Sequence, residues 1–279
     1  MPRENKGEMQ MLYDAKNASL PIAGTAMNYI RFGTGKDVII MLPGLGDGLR
    51  TTKGTALPMA AMYRMFARDF TVYAFSRRNV IPEDASTKDM ADDIAFAMDA
   101  LGISKAHVFG VSMGGMIAQH LAADFPEKVE KLILAVTCPE PNPVMVTAIE
   151  GWLEDAYRDD HAALMDSNLR LIYSDGYYQK NRRLVPFVAK MTKPKSYDRF
   201  IRQAHACLTH NAKEKLPSIT APTLVIGGEQ DLVLGVQPSR DIAAAIPGAK
   251  LKIYEQWGHG VYEEAKDFND LVLTFLTQD

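Results

Sequence analysis

The stretch Ala106–Gly115, which reads A-H-V-F-G-V-S-M-G-G, decides the fold of this chain. An apolar run of strand character leads into G-V-S-M-G at 110–114, and a helical pattern follows at once. Gly-x-Ser-x-Gly between a strand and a helix is the nucleophile elbow, a sharp turn that holds its serine in a strained backbone conformation above the sheet. Glycines flank the serine because a Cβ there would collide with the neighbouring strand or helix. The pattern makes Ser112 a candidate nucleophile.

Short apolar runs on both sides of this stretch predict a parallel sheet. They lie at 26–32, 38–42, 71–75, 131–136, 222–226 and 250–254. Single helical patterns separate most of them, such as the helix predicted from about Lys88 to Leu101 with Ser86 or Thr87 as its cap. This spacing is typical of right-handed βαβ units. We expect residues 1–24 to be irregular and the glycine-rich turn at 33–37 to close a hairpin.

The strand rhythm is interrupted between residues 139 and 214. Three prolines open this segment, which is helical in character, aromatic and basic. We interpret it as an all-helical cap over the carboxyl ends of the strands, where ligands bind in open α/β sheets. The predicted fold class is therefore α/β, with a mostly parallel sheet covered by helices on both faces. Residues 1–138 and 215–279 form its core, and 139–214 form the cap.

A serine hydroxyl becomes a good nucleophile when a base takes its proton and a third group orients that base. His259 is the histidine that follows the last predicted strand, and it lies in a glycine-flanked loop. For the orienting acid, Asp231 is the leading candidate, because it follows the strand that ends at Ile226. A carboxylate there can accept from the imidazole N–H. Glu229 and Glu140 are the alternatives for this role.

Acyl transfer also needs hydrogen-bond donors aimed at the developing oxyanion. The elbow supplies the backbone N–H of Met113, at the start of its helix. The second donor is predicted to be the N–H of Leu45, in the glycine-rich loop P-G-L-G-D-G at 43–48. A phosphate-binding function of this loop is disfavoured, because neither Gly-Lys-Ser/Thr nor Gly-x-Gly-x-x-Gly continues it.

The bulk composition excludes several classes of function. The 279 residues are 47% hydrophobic and 23% charged, as in ordinary globular proteins, and a net charge of −3 gives no reason to expect nucleic acid or an anionic membrane as a partner. The chain shows no secretory signal and no apolar run long enough to span a bilayer. Cys138 and Cys207 lack the spacing of a disulfide framework or a metal site. We expect a cytoplasmic protein with free thiols, and we interpret Cys138 as a small buried thiol rather than a reactive one.

Five segments together resemble the α/β-hydrolase fold family. In family order they are P-G-L-G-D-G at 43–48, G-V-S-M-G-G-M-I-A-Q at 110–119, F-P-E-K-V at 125–129, G-G-E-Q-D at 227–231 and G-H at 258–259. The S-M-G-G elbow is similar to those of enol-lactonases, small carboxylesterases and cofactor-free perhydrolases. The resemblance implies Ser112 as nucleophile, His259 as base, Asp231 as its orienter, and Leu45 and Met113 as oxyanion donors.

Two departures from the family pattern concern the pocket. Pro43 stands where the family commonly has histidine, so the loop after it must be braced in another way. The loop after Phe75 reads S-R-R-N-V at 76–80, where the family commonly has D-x-R-G-x-G. There, Arg77 or Arg78 either holds a substrate carboxylate or belongs to a solvated basic turn.

The sequence predicts a serine hydrolase that cleaves an ester, thioester or lactone of a small organic acid through an acyl-enzyme on Ser112. A small molecule is the expected partner, and no metal or organic cofactor is expected, because the triad suffices for acyl transfer. Carbon–carbon bond hydrolysis and perhydrolysis use the same triad and stay open. The serine at the elbow excludes an aspartate-nucleophile dehalogenase or epoxide hydrolase. A hydrolase-fold ligand-binding or signalling protein with little turnover is the alternative of another class.

Overall fold

A single eight-stranded sheet, ordered β1-β2-β4-β3-β5-β6-β7-β8, runs through the computed structural model, which describes residues 14–278. The strands are β1 (Lys16–Ile22), β2 (Thr25–Phe32), β3 (Asp37–Leu42), β4 (Phe70–Arg78), β5 (Ala106–Val111), β6 (Val129–Ala135), β7 (Thr223–Gly228) and β8 (Lys250–Tyr254). The pairs β1–β2 and β2–β4 are antiparallel, whereas β3 to β8 all run parallel. The predicted mostly parallel α/β sheet is confirmed.

Helices cover both faces of the sheet, because the central strands are apolar on both faces. They are α1 (Ala56–Met62), α2 (Thr87–Ala100), α3 (Met113–Asp124), α4 (Pro143–Tyr157), α5 (His161–Ile172), α6 (Asp175–Asn181), α7 (Val185–Thr192), α8 (Asp198–Leu208), α9 (Gln237–Ala245), α10 (Val261–Glu264) and α11 (Phe268–Thr277). Successive residues of β5 pack into apolar clusters on opposite faces of the sheet. Val108 packs on the face of α2 and α3, and Phe109 packs on the face of α11. Ser86 caps α2 through a reciprocal pair of hydrogen bonds with Asp89.

Two predictions for the N-terminal strands are wrong. Part of the stretch expected to be irregular forms β1, while its first 13 residues lie outside the described range. The turn at 33–37 closes no hairpin, because β4 lies between β2 and β3. Gly35 lets this connection pass close to the start of β4, since a Cβ on it would lie 2.1 Å from the Asp69 carbonyl carbon. The hairpin is instead β1–β2, turning at Gly24 with a φ of +74°.

Residues 139–214, called the insertion below, contain helices and no strand, as the sequence predicts. Polar side chains start several of these helices: Asn142 accepts hydrogen bonds from two amides of α4, Asp160 from one of α5 and Ser174 from one of α6. None of the helices in residues 14–278 is long and apolar enough to cross a membrane.

Candidate active site

Ser112 occupies the sharp turn between β5 and α3. Its φ of 54° and ψ of −121° are strained for a residue with a side chain. The turn is possible because its glycines pack against backbone: a Cβ on Gly114 would lie 1.9 Å from the Leu42 carbonyl oxygen, and one on Gly110 would lie 2.4 Å from the Gly114 oxygen. Thr137 donates a hydrogen bond to the Ser112 carbonyl at 2.8 Å, which helps to fix the turn. The structure thus has the strand-turn-helix geometry of a nucleophile elbow.

His259 and Asp231 form a buried pair beside this turn. The imidazole Nδ1 lies 2.8 Å from the Asp231 Oδ2, and the two side chains are only 4% and 2% exposed. The second carboxylate oxygen of Asp231 accepts from the amides of Val233 and Leu234 at 2.8 and 2.9 Å. A carboxylate held in this way fixes the imidazole with its Nδ1–H toward Asp231, which leaves Nε2 as an acceptor. His259 and Ser112 line the same cavity.

The structure places the two alternative acids elsewhere. Glu229 forms an exposed ion pair with Arg240 at 2.7 Å. Glu140 forms another with Lys213 at 2.5 Å. Neither glutamate hydrogen bonds to His259, whose Nδ1 is occupied by Asp231.

The two predicted oxyanion donors both begin helical turns. Leu45 is the first residue of a 3₁₀ turn, Leu45–Gly48, and Met113 is the first residue of α3. Amides at first helical positions have no intrahelical acceptor, so these two N–H groups are available to a ligand. Gly44 brings the turn close to the nucleophile, since a Cβ on it would lie 3.3 Å from the Ser112 Cβ.

Arg77 holds the loop at 43–48 in place, because Pro43 has no side-chain donor that could do so. Its guanidinium donates to the Pro43 carbonyl at 2.5 Å, and its backbone N–H donates to the Asp47 carboxylate at 3.1 Å. Arg77 is buried, and that burial lowers the pKa of its guanidinium. Arg78 pairs with Asp93 at 2.7 Å. Neither of the two interpretations made for Arg77 from the sequence is correct, since it is a buried structural group.

The insertion contacts all three loops that carry these groups. Arg199 of α8 donates to the Asp47 carbonyl and carboxylate in the Leu45–Gly48 turn. Asn142 donates to the carbonyl of Leu234, three residues after Asp231, at 3.0 Å. After the loop of His259, Glu264 of α10 accepts from both the backbone N–H and the hydroxyl of Ser174 at 2.9 and 2.6 Å. No sequence pattern pointed to these contacts.

A cavity of about 480 Å³ lies between the insertion and the strand ends. Its apolar lining includes Met41, Met59, Phe109, Trp152 and Ile172. Its polar lining, apart from Ser112 and His259, includes Arg50, Tyr63, Tyr173, Tyr262 and Glu263. Sequence reasoning missed this polar wall, because its members come from segments far apart in the chain.

Both cysteines are buried and free. Burial raises the pKa of the Cys138 thiol, and it raises that of Cys207 to about 12. These thiols therefore stay protonated and are poor nucleophiles. Within residues 14–278, no cluster of three or more histidine, cysteine or acidic side chains is arranged to hold a metal ion.

Two antiparallel strands followed by six parallel ones, with a serine elbow after β5, define the architecture as that of an α/β hydrolase. The family profile described as the alpha/beta hydrolase fold matches residues 37–266. The chain belongs to this family and is a hydrolase of the α/β fold.

Proteins similar to this chain carry names that refer to different substrates. The 2-hydroxy-6-oxononadienedioate/2-hydroxy-6-oxononatrienedioate hydrolase of Pseudomonas sp. is 26% identical over 260 residues, covering 88% of this chain and 90% of that protein. RutD of Caulobacter sp., provisionally named a carbamate hydrolase, is 27% identical over 245 residues, covering 87% and 91%. The enol-lactonase structure from Burkholderia xenovorans superposes with a TM-score of 0.78 at 22% identity, covering 94% of this chain and 100% of that one. This last similarity shows the shared fold.

Proposed function

We propose that this protein is a serine hydrolase that cleaves an ester, thioester or lactone of a small organic acid. The observation that supports this most strongly is the buried His259–Asp231 hydrogen bond of 2.8 Å beside the cavity that Ser112 lines. A serine, a base and an orienting acid in this arrangement are the groups that acyl transfer requires.

In the proposed mechanism, Nε2 of His259 takes the proton of the Ser112 hydroxyl as its oxygen attacks the substrate carbonyl carbon. The negative charge moves to the carbonyl oxygen, which the amides of Leu45 and Met113 stabilise by about 3–4 kcal/mol each. The imidazolium then gives its proton to the leaving alcohol or thiol, and an acyl-enzyme on Ser112 remains. Water, deprotonated by His259, attacks that acyl group and releases the acid.

Fluorophosphonate labelling tests the nucleophile. We expect the wild type to react covalently at one site, and Ser112→Ala to lose the label. Ser218→Ala is a suitable control, because Ser218 is exposed and outside the cavity. Both variants are checked for folding by circular dichroism. Absence of labelling in the folded wild type would refute the proposal and favour the ligand-binding or signalling alternative.

Carbon–carbon bond hydrolysis is a second candidate, because the dienedioate hydrolase of Pseudomonas sp. is a relative over most of the chain. The same three groups serve that reaction, so labelling does not separate the two functions. A substrate panel separates the two functions. It compares, in the wild type and in Ser112→Ala, linear esters of increasing acyl length, simple lactones, thioesters and a 2-hydroxy-6-oxo-dienoate. A kcat/KM highest for the dienoate would overturn the ester, thioester or lactone proposal.

A further inference from the structure

The polar wall of the cavity contains a carboxylate without a cationic partner. Glu263 lines the cavity, and its side chain stays accessible from it. One carboxylate oxygen, Oε2, accepts from the Tyr173 hydroxyl at 2.7 Å. Within residues 14–278, no lysine, arginine or histidine forms an ion pair with Glu263, and its Oε1 has no hydrogen-bond donor. The second carboxylate oxygen is therefore open to solvent or to a ligand in the cavity.

Contacts other than the Glu263–Tyr173 hydrogen bond also attach the insertion. Glu264 does that, because its two carboxylate oxygens accept from the backbone N–H and the hydroxyl of Ser174. The amide of Gly260 adds a hydrogen bond to the Ile172 carbonyl at 2.6 Å. Glu264 and Gly260 thus join this part of the chain to the insertion in addition to the contact of Glu263 with Tyr173.

Three tyrosines lie near this carboxylate. Tyr63, Tyr173 and Tyr262 line the same cavity, and Tyr177 stacks on Tyr173 with ring centroids 4.4 Å apart. Burial raises the pKa of Tyr63 to about 12, and the nearby charge of Glu263 acts in the same direction. The same two causes raise the pKa of Tyr173 and of Tyr262. All three tyrosines therefore remain neutral and contribute aromatic groups to the cavity lining.

We infer that Glu263 and its three tyrosine neighbours form a subsite for a positively charged ammonium group of the substrate. A carboxylate attracts the charge directly, and electron-rich aromatic faces favour ammonium and quaternary ammonium ions. The same carboxylate repels anionic groups, so dicarboxylic substrates fit this cavity poorly. Arg50 also lines the cavity and is exposed, as Glu263 is, so the anionic ester in the series below tests whether its charge outweighs that of the carboxylate. The inference rests on the proposed function, since it takes the cavity that Ser112 and Glu263 both line as the substrate site.

A matched series of esters tests the subsite. Butyrylcholine carries a quaternary ammonium group, 3,3-dimethylbutyl butyrate is its uncharged isostere, and butyl hemisuccinate is anionic. We expect the wild type to prefer butyrylcholine over the isostere by about tenfold in kcat/KM. Glu263→Gln should bring that ratio close to one, whereas Glu255→Gln should leave it unchanged. Glu255 is the matched control, because it is exposed like Glu263, lies eight residues before it and does not line the cavity.

Two further measurements separate this inference from the proposed function and from folding defects. Binding of the probes to Ser112→Ala by calorimetry needs no turnover, so a preference for butyrylcholine there supports the subsite even if the wild type hydrolyses no ester. Should Glu263→Gln fail to fold, tetramethylammonium is tested on the wild type, where competitive inhibition that tert-butanol does not reproduce supports the subsite. Equal use of the charged and neutral esters, preference for the anionic ester, or an unchanged ratio in folded Glu263→Gln would overturn the inference.

Discussion

Arg199 of the insertion donates hydrogen bonds to Asp47 from both of its terminal nitrogens. Nη1 donates to the Asp47 carbonyl at 2.7 Å, and Nη2 donates to the carboxylate at 2.9 Å. The Asp47 side chain is 1% exposed and that of Arg199 is 19% exposed, so the pair is shielded from solvent. Asp47 lies two residues after Leu45, the proposed oxyanion donor. The position of that donor therefore depends on a side chain from the insertion.

Arg199→Ala should lower kcat by about tenfold and change KM less, because removing one partner of a buried pair loosens the Leu45–Gly48 turn. The kcat of Arg199→Lys should lie between those of the wild type and Arg199→Ala, because lysine keeps the positive charge but has a single terminal nitrogen. The affinity of a trifluoromethyl ketone analogue should fall in parallel with kcat, which a general loss of stability would not produce. Arg202→Ala is the control, since Arg202 is on the same helix and donates to the Ile81 carbonyl. Equal losses in both alanine variants would contradict this role.

Asp231→Asn should lower kcat by about 10⁴-fold, because an amide facing His259 no longer holds the imidazole with Nδ1–H inward. The fold should survive, since asparagine still offers an oxygen to the amides of Val233 and Leu234. Glu229→Gln, on the same loop, should retain nearly full activity. Steady-state kinetics on the best ester of the panel measures both. If Glu229→Gln were the more damaging change, the assignment of the acid would be wrong.

Gly44→Ala should reduce kcat by about tenfold, because its new Cβ would lie 3.3 Å from the Ser112 Cβ and crowd the nucleophile. Gly46 is the matched comparison in the same loop. A Cβ on Gly46 would meet no atom within 4 Å, so Gly46→Ala should cost much less activity. Thermal melts establish that both variants fold. A smaller effect at Gly44 than at Gly46 would refute the proposed closeness of the turn to the serine.

Acid should destabilise the fold through two buried histidines, His120 of α3 and His210, whose rings meet edge-on at 5.2 Å. Burial lowers the pKa of His120 to about 4 and that of His210 to about 3, against an ordinary value of 6.5. The unfolded chain takes up protons below about pH 6.5 while the native state does not. Stability is therefore lost as the pH falls through this range, by about 2 kcal/mol per histidine at pH 5.

Urea unfolding at pH 7.5 and at pH 5.0 measures this loss. The charged side chains near His120 are Lys88, Asp92, Asp124 and Lys215, and their charges change little between these two pH values. His120→Phe keeps a ring edge for His210 and should reduce the pH dependence by about half. His205→Asn, at an exposed position, should leave it unchanged. A variant lacking His120 with the full wild-type pH dependence would contradict this explanation.

The parallel sheet and the elbow could be predicted because their signals are local. Buried parallel strands are continuous apolar runs, and the strained turn at Ser112 needs glycine at fixed positions. Strand β1 was missed because an edge strand has few buried positions, so K-N-A-S-L-P-I lacks an apolar run. The hairpin error followed from the same limitation, since nothing local shows that β4 lies between β2 and β3.

The candidate residues in the three loops could also be read from the sequence, because chain order restricts the choice to few residues of each type. The side chains that hold the Leu45–Gly48 turn in place could not be read from the sequence. Arg77 and Arg199 are 122 residues apart in the chain, and both reach Asp47 only in the folded protein. An arginine at either position looks like a surface charge until its partners are known.

The contacts of Asn142, Ser174 and Arg199 with the three loops limit how this enzyme could be re-engineered. Exchanging the insertion for that of a relative would bring a new pocket and at the same time remove the anchors of the three loops. A chimera should therefore recover activity only when these three side chains are grafted together with the foreign segment. Changes confined to pocket-lining positions such as Trp152 or Ile172 leave the anchors intact, and are the safer route to a new substrate range.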